Sequence, residues 1–255
     1  MSAIVDVFAA RSDNFGYLVH DPATGRTASI DAPETAPIVA ALEKRGWTLT
    51  DLLITHHHID HVEAIADLKA RYGCRVVGPR GEADKIEGLD ELVSGGDRLE
   101  VGEIVFDVYD TPGHTLGHIV FHDAEGGHLF SADALFSLGV GRMFEGTPGP
   151  MWAALETLRD LPDETLVYCG HEYTESNARF ALSIDPDNPD LQRRAAEVTA
   201  LRQAGKFTIP FRLGEDKRAN PFLRADAPEL ARHYGLEGQP SAEVFAAIRR
   251  GKDNF

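Results

Sequence analysis

Apolar and polar positions along this chain follow two periods, and the balance between them changes near residue 170. Upstream, short apolar runs bounded by turn residues read as strands. Residues 4–9 and 16–20 form a pair around a polar turn at 12–14, and 28–31 is a short strand closed by Pro33. The run DLLIT at 51–55 is a buried strand, and 75–78, 104–110, 119–122, 128–131 and 165–169 continue the series. Helical spacing appears at 37–46, where Ile38, Ala41 and Leu42 share a face. It returns at 62–72, where Ile65, Leu68 and Tyr72 align before Gly73 stops the helix, and at 150–161. Downstream, helices dominate, at 173–184, 189–204, 227–234 and 242–250, with 207–221 and its prolines as a connecting loop. The pattern predicts a mixed α/β core followed by a helical C-terminal part.

Composition narrows the function classes. A chain of 255 residues has room for one large domain, or a core with a smaller appendix. No apolar run reaches the length of a membrane span, and residues 1–10 lack the basic start of a signal peptide, so a cytoplasmic protein is expected. The formal charge of −16, from 25 basic and 41 acidic residues, excludes nucleic acid as the main partner. An anionic substrate would need a local basic cluster to overcome that field. Cys74 and Cys169 are too far apart in sequence for a disulfide framework or a paired structural zinc site, and read as small buried hydrophobes.

The chemistry concentrates in Thr55-His56-His57-His58-Ile59-Asp60-His61, directly after the buried strand. Loops at strand ends collect ligands because the strand fixes their base. His56 and His58 are two apart and point the same way in extended chain. Asp60 and His61 follow where a helix begins. So many nitrogen and oxygen donors in so short a stretch favour division between two adjacent ions. Three more elements lie at strand ends: TPGHTLGH at 111–118 with His114, SAD at 131–133 with Asp133, and CGHEY at 169–173 with His171. A histidine after one strand is usually structural; the recurrence at four strand ends reverses that reading.

Together these residues resemble the metallo-β-lactamase superfamily. THHHIDH, TPGHTLGH, FSADALFSLGVGRMFEGT, YCGHEYT, NPFLR and RRGKDNF are further similar to glyoxalase II, the hydroxyacylglutathione hydrolases, over nearly the whole chain. The resemblance implies an α/β fold, a four-layer αβ/βα sandwich over 1–170, with an α-helical substrate-binding domain over 171–255. It implies two divalent metal ions, zinc first, with iron or manganese as alternatives. His56, His58 and His114 would hold one, and Asp60, His61 and His171 the other, with Asp133 bridging; Asp60 and Asp133 are thereby the catalytic carboxylates. His57 would be no ligand, and His118 would lie behind the ligands.

By the same resemblance Arg142, Phe144, Tyr173, Arg249 and Lys252 would bind glutathione. Phe144 stands where some members have tyrosine, and Arg142 where some have lysine. The implied reaction is hydrolysis of S-D-lactoylglutathione and related S-2-hydroxyacylglutathiones to D-lactate and glutathione by a metal-bridging hydroxide, the second step of methylglyoxal detoxification. The partner is thus a small glutathione thioester, with no membrane and a monomer expected. An iron-dependent glutathione persulfide dioxygenase on the same fold is the alternative; it would use one iron and leave Asp60, His61 and His171 without a shared role.

Overall fold

Strands near the N-terminus pair in the order the chain lays them down. β1 (Ile4–Ala10), β2 (Asn14–His20) and β3 (Thr27–Ile30) are antiparallel. β4 (Asp51–Leu53), β5 (Arg75–Pro79) and β6 (Glu91–Val93) then add in parallel, completing a six-stranded sheet. Parallel neighbours need crossovers. These are α1 (Thr35–Arg45) before β4, then α2 (Ile59–Val62) and α3 (Ile65–Tyr72) before β5. The structure is a computed structural model describing residues 3–255, so the first two residues of the segment 1–10 and of the expected domain 1–170 lie outside the described residues. The chain divides into two compact units, Met1–Asp110 with Thr115–Phe130, and Thr111–His114 with Ser131–Phe255.

In the first unit Leu18, Ile38, Leu42, Leu52, Ile54, Leu68 and Val76 form a core between the sheet and its helices. Each contributes about 1.5–3 kcal/mol by leaving water, and Leu52→Ala would cost about 2–5 kcal/mol. The helix expected over 62–72 is interrupted at Ala64, whose N–H donates to Ala32 O at 2.9 Å instead of continuing the helical ladder. β7 (Arg98–Val101), β8 (Ile104–Asp110), β9 (Ile119–Asp123) and β10 (His128–Ala132) form an antiparallel meander. Its inward rings Phe106, Phe121 and Phe130 pack edge to face at 6.2 Å, and Tyr17 of β2 meets Phe130 at 5.8 Å, so two sheets share one core. β6 and β7 were not read from the pattern, because each is short and lies among polar residues and glycines with no apolar run to mark it.

The second unit starts its longer segment in the last residues of β10. It contains the small hairpin β11 (Leu135–Phe136) and β12 (Gly139–Val140), α4 (Pro148–Arg159) and β13 (Leu166–Cys169). The helical part follows: α5 (Thr174–Ile184), α6 (Pro189–Gln203), β14 (Phe211–Arg212), α7 (Leu213–Ala219), α8 (Pro228–His233) and α9 (Ser241–Asp253). The expected loop 207–221 is corrected: β14 pairs with β13 through Val167 and Phe211, and α7 follows it directly. Small side chains let α5 and α6 approach closely, with Ala178, Ala181, Leu191 and Ala195 between them. Asn188 caps α6, its side-chain oxygen accepting from Asp190 N and Leu191 N. Phe245 of α9 packs against Trp152 of α4 and against Phe222. Cys74 and Cys169 are both buried, as expected, and form no disulfide with each other. Among the described residues no helix is long and apolar enough to cross a membrane.

Candidate metal centre

In the first unit, parallel pairing gathers the carboxyl ends of β3, β4 and β5 along one edge, where open sheets place their ligands. Asp31 follows β3, His56–His61 follows β4, and Glu82 follows β5. Asp31 has φ +58°, a left-handed turn that Asp tolerates better than most residues, and it is buried. Its carboxylate accepts from Thr55 N at 2.8 Å and from Thr55 Oγ1 at 2.9 Å, and lies 2.7 Å from His61 Nδ1. Thr55 has one hydroxyl proton. Given to Asp31, it leaves the oxygen to accept from His56 Nδ1, 3.0 Å away. Asp31 therefore fixes two tautomers: both His56 and His61 keep a bare Nε2. Asn14 Nδ2 donates to Asp60 Oδ2 at 3.0 Å and steadies that carboxylate.

In the second unit His114, Asp133 and His171 come together. His114 Nδ1 donates to Arg142 O at 2.9 Å, so its Nε2 is also bare. The two carboxylate oxygens of Asp133 divide: Oδ2 lies 3.3 Å from His114 Nε2, and Oδ1 lies 3.4 Å from His171 Nε2. Ala132, just before Asp133, has φ +41°, and such strain costs about 1–3 kcal/mol. Gly141 has a steric reason to lack a side chain, since a Cβ there would stand 2.0 Å from Asp133 O and 3.1 Å from His114 Nδ1. Tyr173 stacks on His171 with ring centroids 4.8 Å apart, and Phe144 meets His114 edge on at 5.3 Å.

Spacing of these donors tests whether they suit a metal. Two ligands bound at about 2.0–2.1 Å to a tetrahedral ion are about 3.3 Å apart. His56 Nε2 and His58 Nδ1 are 3.2 Å apart, and His61 Nε2 and Asp60 Oδ2 are 3.6 Å apart. With the two Asp133 separations, four donor pairs have the length of a coordination edge. Imidazole and carboxylate are the ligand types that zinc and iron accept. The residues fit divalent metal.

A model of the metallo-beta-lactamase superfamily matches residues 7–171, and a model of the hydroxyacylglutathione hydrolase C-terminus matches residues 172–255. The hydroxyacylglutathione hydrolase of Rhizobium etli is 55% identical over 251 residues, spanning 98% of each chain. The chain belongs to the hydroxyacylglutathione hydrolase family. Among solved structures, ETHE1 from Myxococcus xanthus is similar with TM-score 0.68 and 28% identity, over 97% of this chain and 96% of that one. TTHA1623, solved in a di-iron-bound form, is similar with TM-score 0.57 and 28% identity, over 66% of this chain and 91% of that one. The expected fold class holds: a metallo-β-lactamase fold with a helical hydroxyacylglutathione hydrolase C-terminus, binding divalent metal.

Residues expected to bind glutathione in a hydroxyacylglutathione hydrolase all fall in the second unit. Phe144 and Tyr173 expose large apolar surface, 61% and 40%. Arg142 is exposed, donates through Nε to Asp253 at 3.2 Å, and lies over the Phe144 ring. Arg249 is buried: Nη1 donates to Val140 O at 2.9 Å and Nη2 pairs with Asp253 at 3.0 Å. Lys252 Nζ donates to Ser176 Oγ at 3.0 Å. Burial, helped by the neighbouring Arg249 charge, pulls the Lys252 ammonium down to about 8. Burial pushes the Cys169 thiol far above its ordinary range, so it is no nucleophile despite adjoining His171. Asp31, Glu82 and Asn14 escaped the sequence reading as functional residues. Asp31 was only the end of a strand, and the other two carried no motif.

Proposed function

We propose that this chain hydrolyses S-D-lactoylglutathione and related S-2-hydroxyacylglutathiones to the 2-hydroxy acid and glutathione, acting as the second step of methylglyoxal detoxification. The observation that carries this reading is the family match over 172–255, because the metallo-β-lactamase fold alone serves many substrates. In this reading 1–170 supplies the metal centre except for His171, and 171–255 supplies the substrate site together with Arg142 and Phe144. His56, His58 and His114 hold one divalent ion, and Asp60, His61 and His171 a second, with Asp133 between them; this grouping follows the donor sets available. Zinc suits the donors best, with iron or manganese as alternatives. When bound, the ions supply a hydroxide nucleophile at neutral pH and positive charge for the carbonyl oxygen.

The chain's own residues do the rest. Asp31 and Thr55 hold His56 and His61 with Nε2 unprotonated, as a ligand nitrogen must be, and the Arg142 carbonyl does the same for His114. A thioester needs little acid catalysis, since a thiol with a pKa near ~8.5 leaves as thiolate. No side chain is therefore required to protonate the leaving group. Arg142 and Lys252 form a local positive patch for the glutathione carboxylates, while Arg249 acts from beneath by anchoring Asp253. Phe144 and Tyr173 provide apolar walls. The cytoplasm is the proposed location, with monomer as the working state and neither membrane nor nucleic acid as partner.

The test is loss of thioester absorbance with S-D-lactoylglutathione, before and after chelation. Turnover that chelation abolishes and zinc restores supports the reading; no turnover by the metal-loaded protein ends it. Oxygen uptake with glutathione persulfide would instead support the dioxygenase alternative, which relatives at 55% identity do not favour.

A further inference from the structure

His57 sits in the centre of the ligand run, yet the proposed coordination gives it nothing to do. Its backbone N–H donates to Glu82 Oε2 at 2.6 Å, and its ring Nδ1 lies 2.8 Å from the same oxygen. The other oxygen, Oε1, accepts from Gly117 N at 3.1 Å. Glu82 is fully buried. A buried carboxylate costs stability unless its oxygens are occupied, and here three N–H groups converge on the pair. Those donors come from two separate segments. One is the run between His56 and His58; the other leads through Gly117 and His118 into β9. His118 is fully buried with its ring 4.8 Å from that of His56. The approach is close enough to require glycine. A Cβ on Gly117 would stand 2.5 Å from Glu82 Cγ and 2.8 Å from Gly81 C, and one on Gly81 would stand 3.1 Å from Gly117 Cα.

We propose that Glu82 is a positioning residue for the metal centre: through His57 and Gly117 it clamps the His56–His58 run to the segment carrying His118 and so sets the aim of two ligands. The reasoning rests on the assignment of His56 and His58 as ligands. The geometry supports an orienting part rather than a general packing one. The carboxylate grips the backbone midway between two ligands only two residues apart, so any displacement there turns both imidazoles. His57 is then the grip that lets a side chain from β5's end hold the loop from β4's end.

Glu82→Gln tests this at nearly constant volume. An amide offers one oxygen to three donors and turns its own N–H groups toward one of them, so part of the clamp opens. Zinc and cobalt(II) affinities of the purified wild type and variant are measured by competition with a chromophoric chelator, together with the visible spectrum of the cobalt form. Glu82→Gln is expected to bind about 10–100-fold more weakly, the range for partners that orient metal ligands. Its cobalt spectrum should shift, and excess zinc should restore activity. Wild-type affinity with an unchanged spectrum would overturn the proposal, as would an activity loss that excess zinc leaves in place. If Glu82→Gln fails to fold, His57→Ala decides, because it removes only the ring bond. Several-fold weaker binding supports the clamp, and wild-type binding overturns it. If wild type itself takes up no metal, the ligand assignment fails, and this inference with it.

Discussion

A carboxylate at a strand end decides which nitrogen two of the histidines present. Asp31 reaches His61 directly and His56 through Thr55. Asp31→Asn should therefore weaken metal binding by about 10–100-fold while leaving the ligands themselves intact; a chelator titration with wild-type affinity would contradict this. Arg249 is a second case of a buried polar group with a remote effect. Arg249→Ala leaves the Val140 carbonyl without that donor, a loss of about 1–3 kcal/mol, and leaves Asp253 held by Arg142 without its second arginine. A lower Tm together with a raised KM and little change in kcat is the expected result; an unchanged KM would remove Arg249 from the substrate site. Lys252 gives a pH signature. Its ammonium titrates near 8, so KM for the anionic thioester should rise as pH passes that value, and Lys252→Met should flatten the rise. Stability moves the other way. Between about 8 and the ordinary lysine value of 10.5 the unfolded chain holds more of this proton, so this group's contribution to folding stability grows with pH in that window.

At the scale of elements, the hairpin β11–β12 links the helical part to the proposed ligand His114. Its turn is framed by side chains from three helices and one cap. Asp216 of α7 accepts from Leu138 N at 2.8 Å and Ser137 Oγ at 3.0 Å. Asn220 donates to Phe136 O and Gly139 O, Asn177 of α5 to Ser137 O, and Arg194 of α6 to Ser137 Oγ. The frame holds Leu138 at φ +59°, and just beyond the hairpin Arg142 O receives the His114 ring. Asp216→Ala would strand two buried donors at about 1–3 kcal/mol each, so calorimetry should show a Tm lower by several degrees. A Tm within one degree of wild type would show the frame to be dispensable. Burial pushes the Asp216 carboxyl up to about 6. As pH rises from the ordinary aspartate value of 3.8 to about 6 the unfolded chain gives up its proton first, and this group's contribution to stability falls across that window.

Across the whole molecule, metal is expected to contribute to folding as well as chemistry, because the unfolded chain has no preformed set of donors. Removing it with a chelator should lower Tm and abolish turnover together, and adding zinc should restore both. Loss of activity without any change in Tm would separate the metal from the fold. The net charge of −16 belongs to this scale too, since it makes a local cationic patch necessary for an anionic substrate.

Sequence by itself marked the candidate donors and the strands that precede them. Alternation marked β8 and the apolar run DLLIT marked β4, and the candidate ligand runs follow such strands within a few residues. Helical spacing marked the C-terminal helices, and the family motifs carried the fold class. Tertiary structure decided what depends on chain segments far apart in sequence. That β3, β4 and β5 are parallel, which puts Asp31, His56 and Glu82 on one edge, is a property of pairing and leaves no local pattern. The burial of Arg249, the tautomers set by Asp31 and the grip of Glu82 on His57 likewise arise from contacts at long sequence separation. A single side chain does not announce such contacts, because its hydrogen-bond partner is chosen only when the backbone has brought the two together.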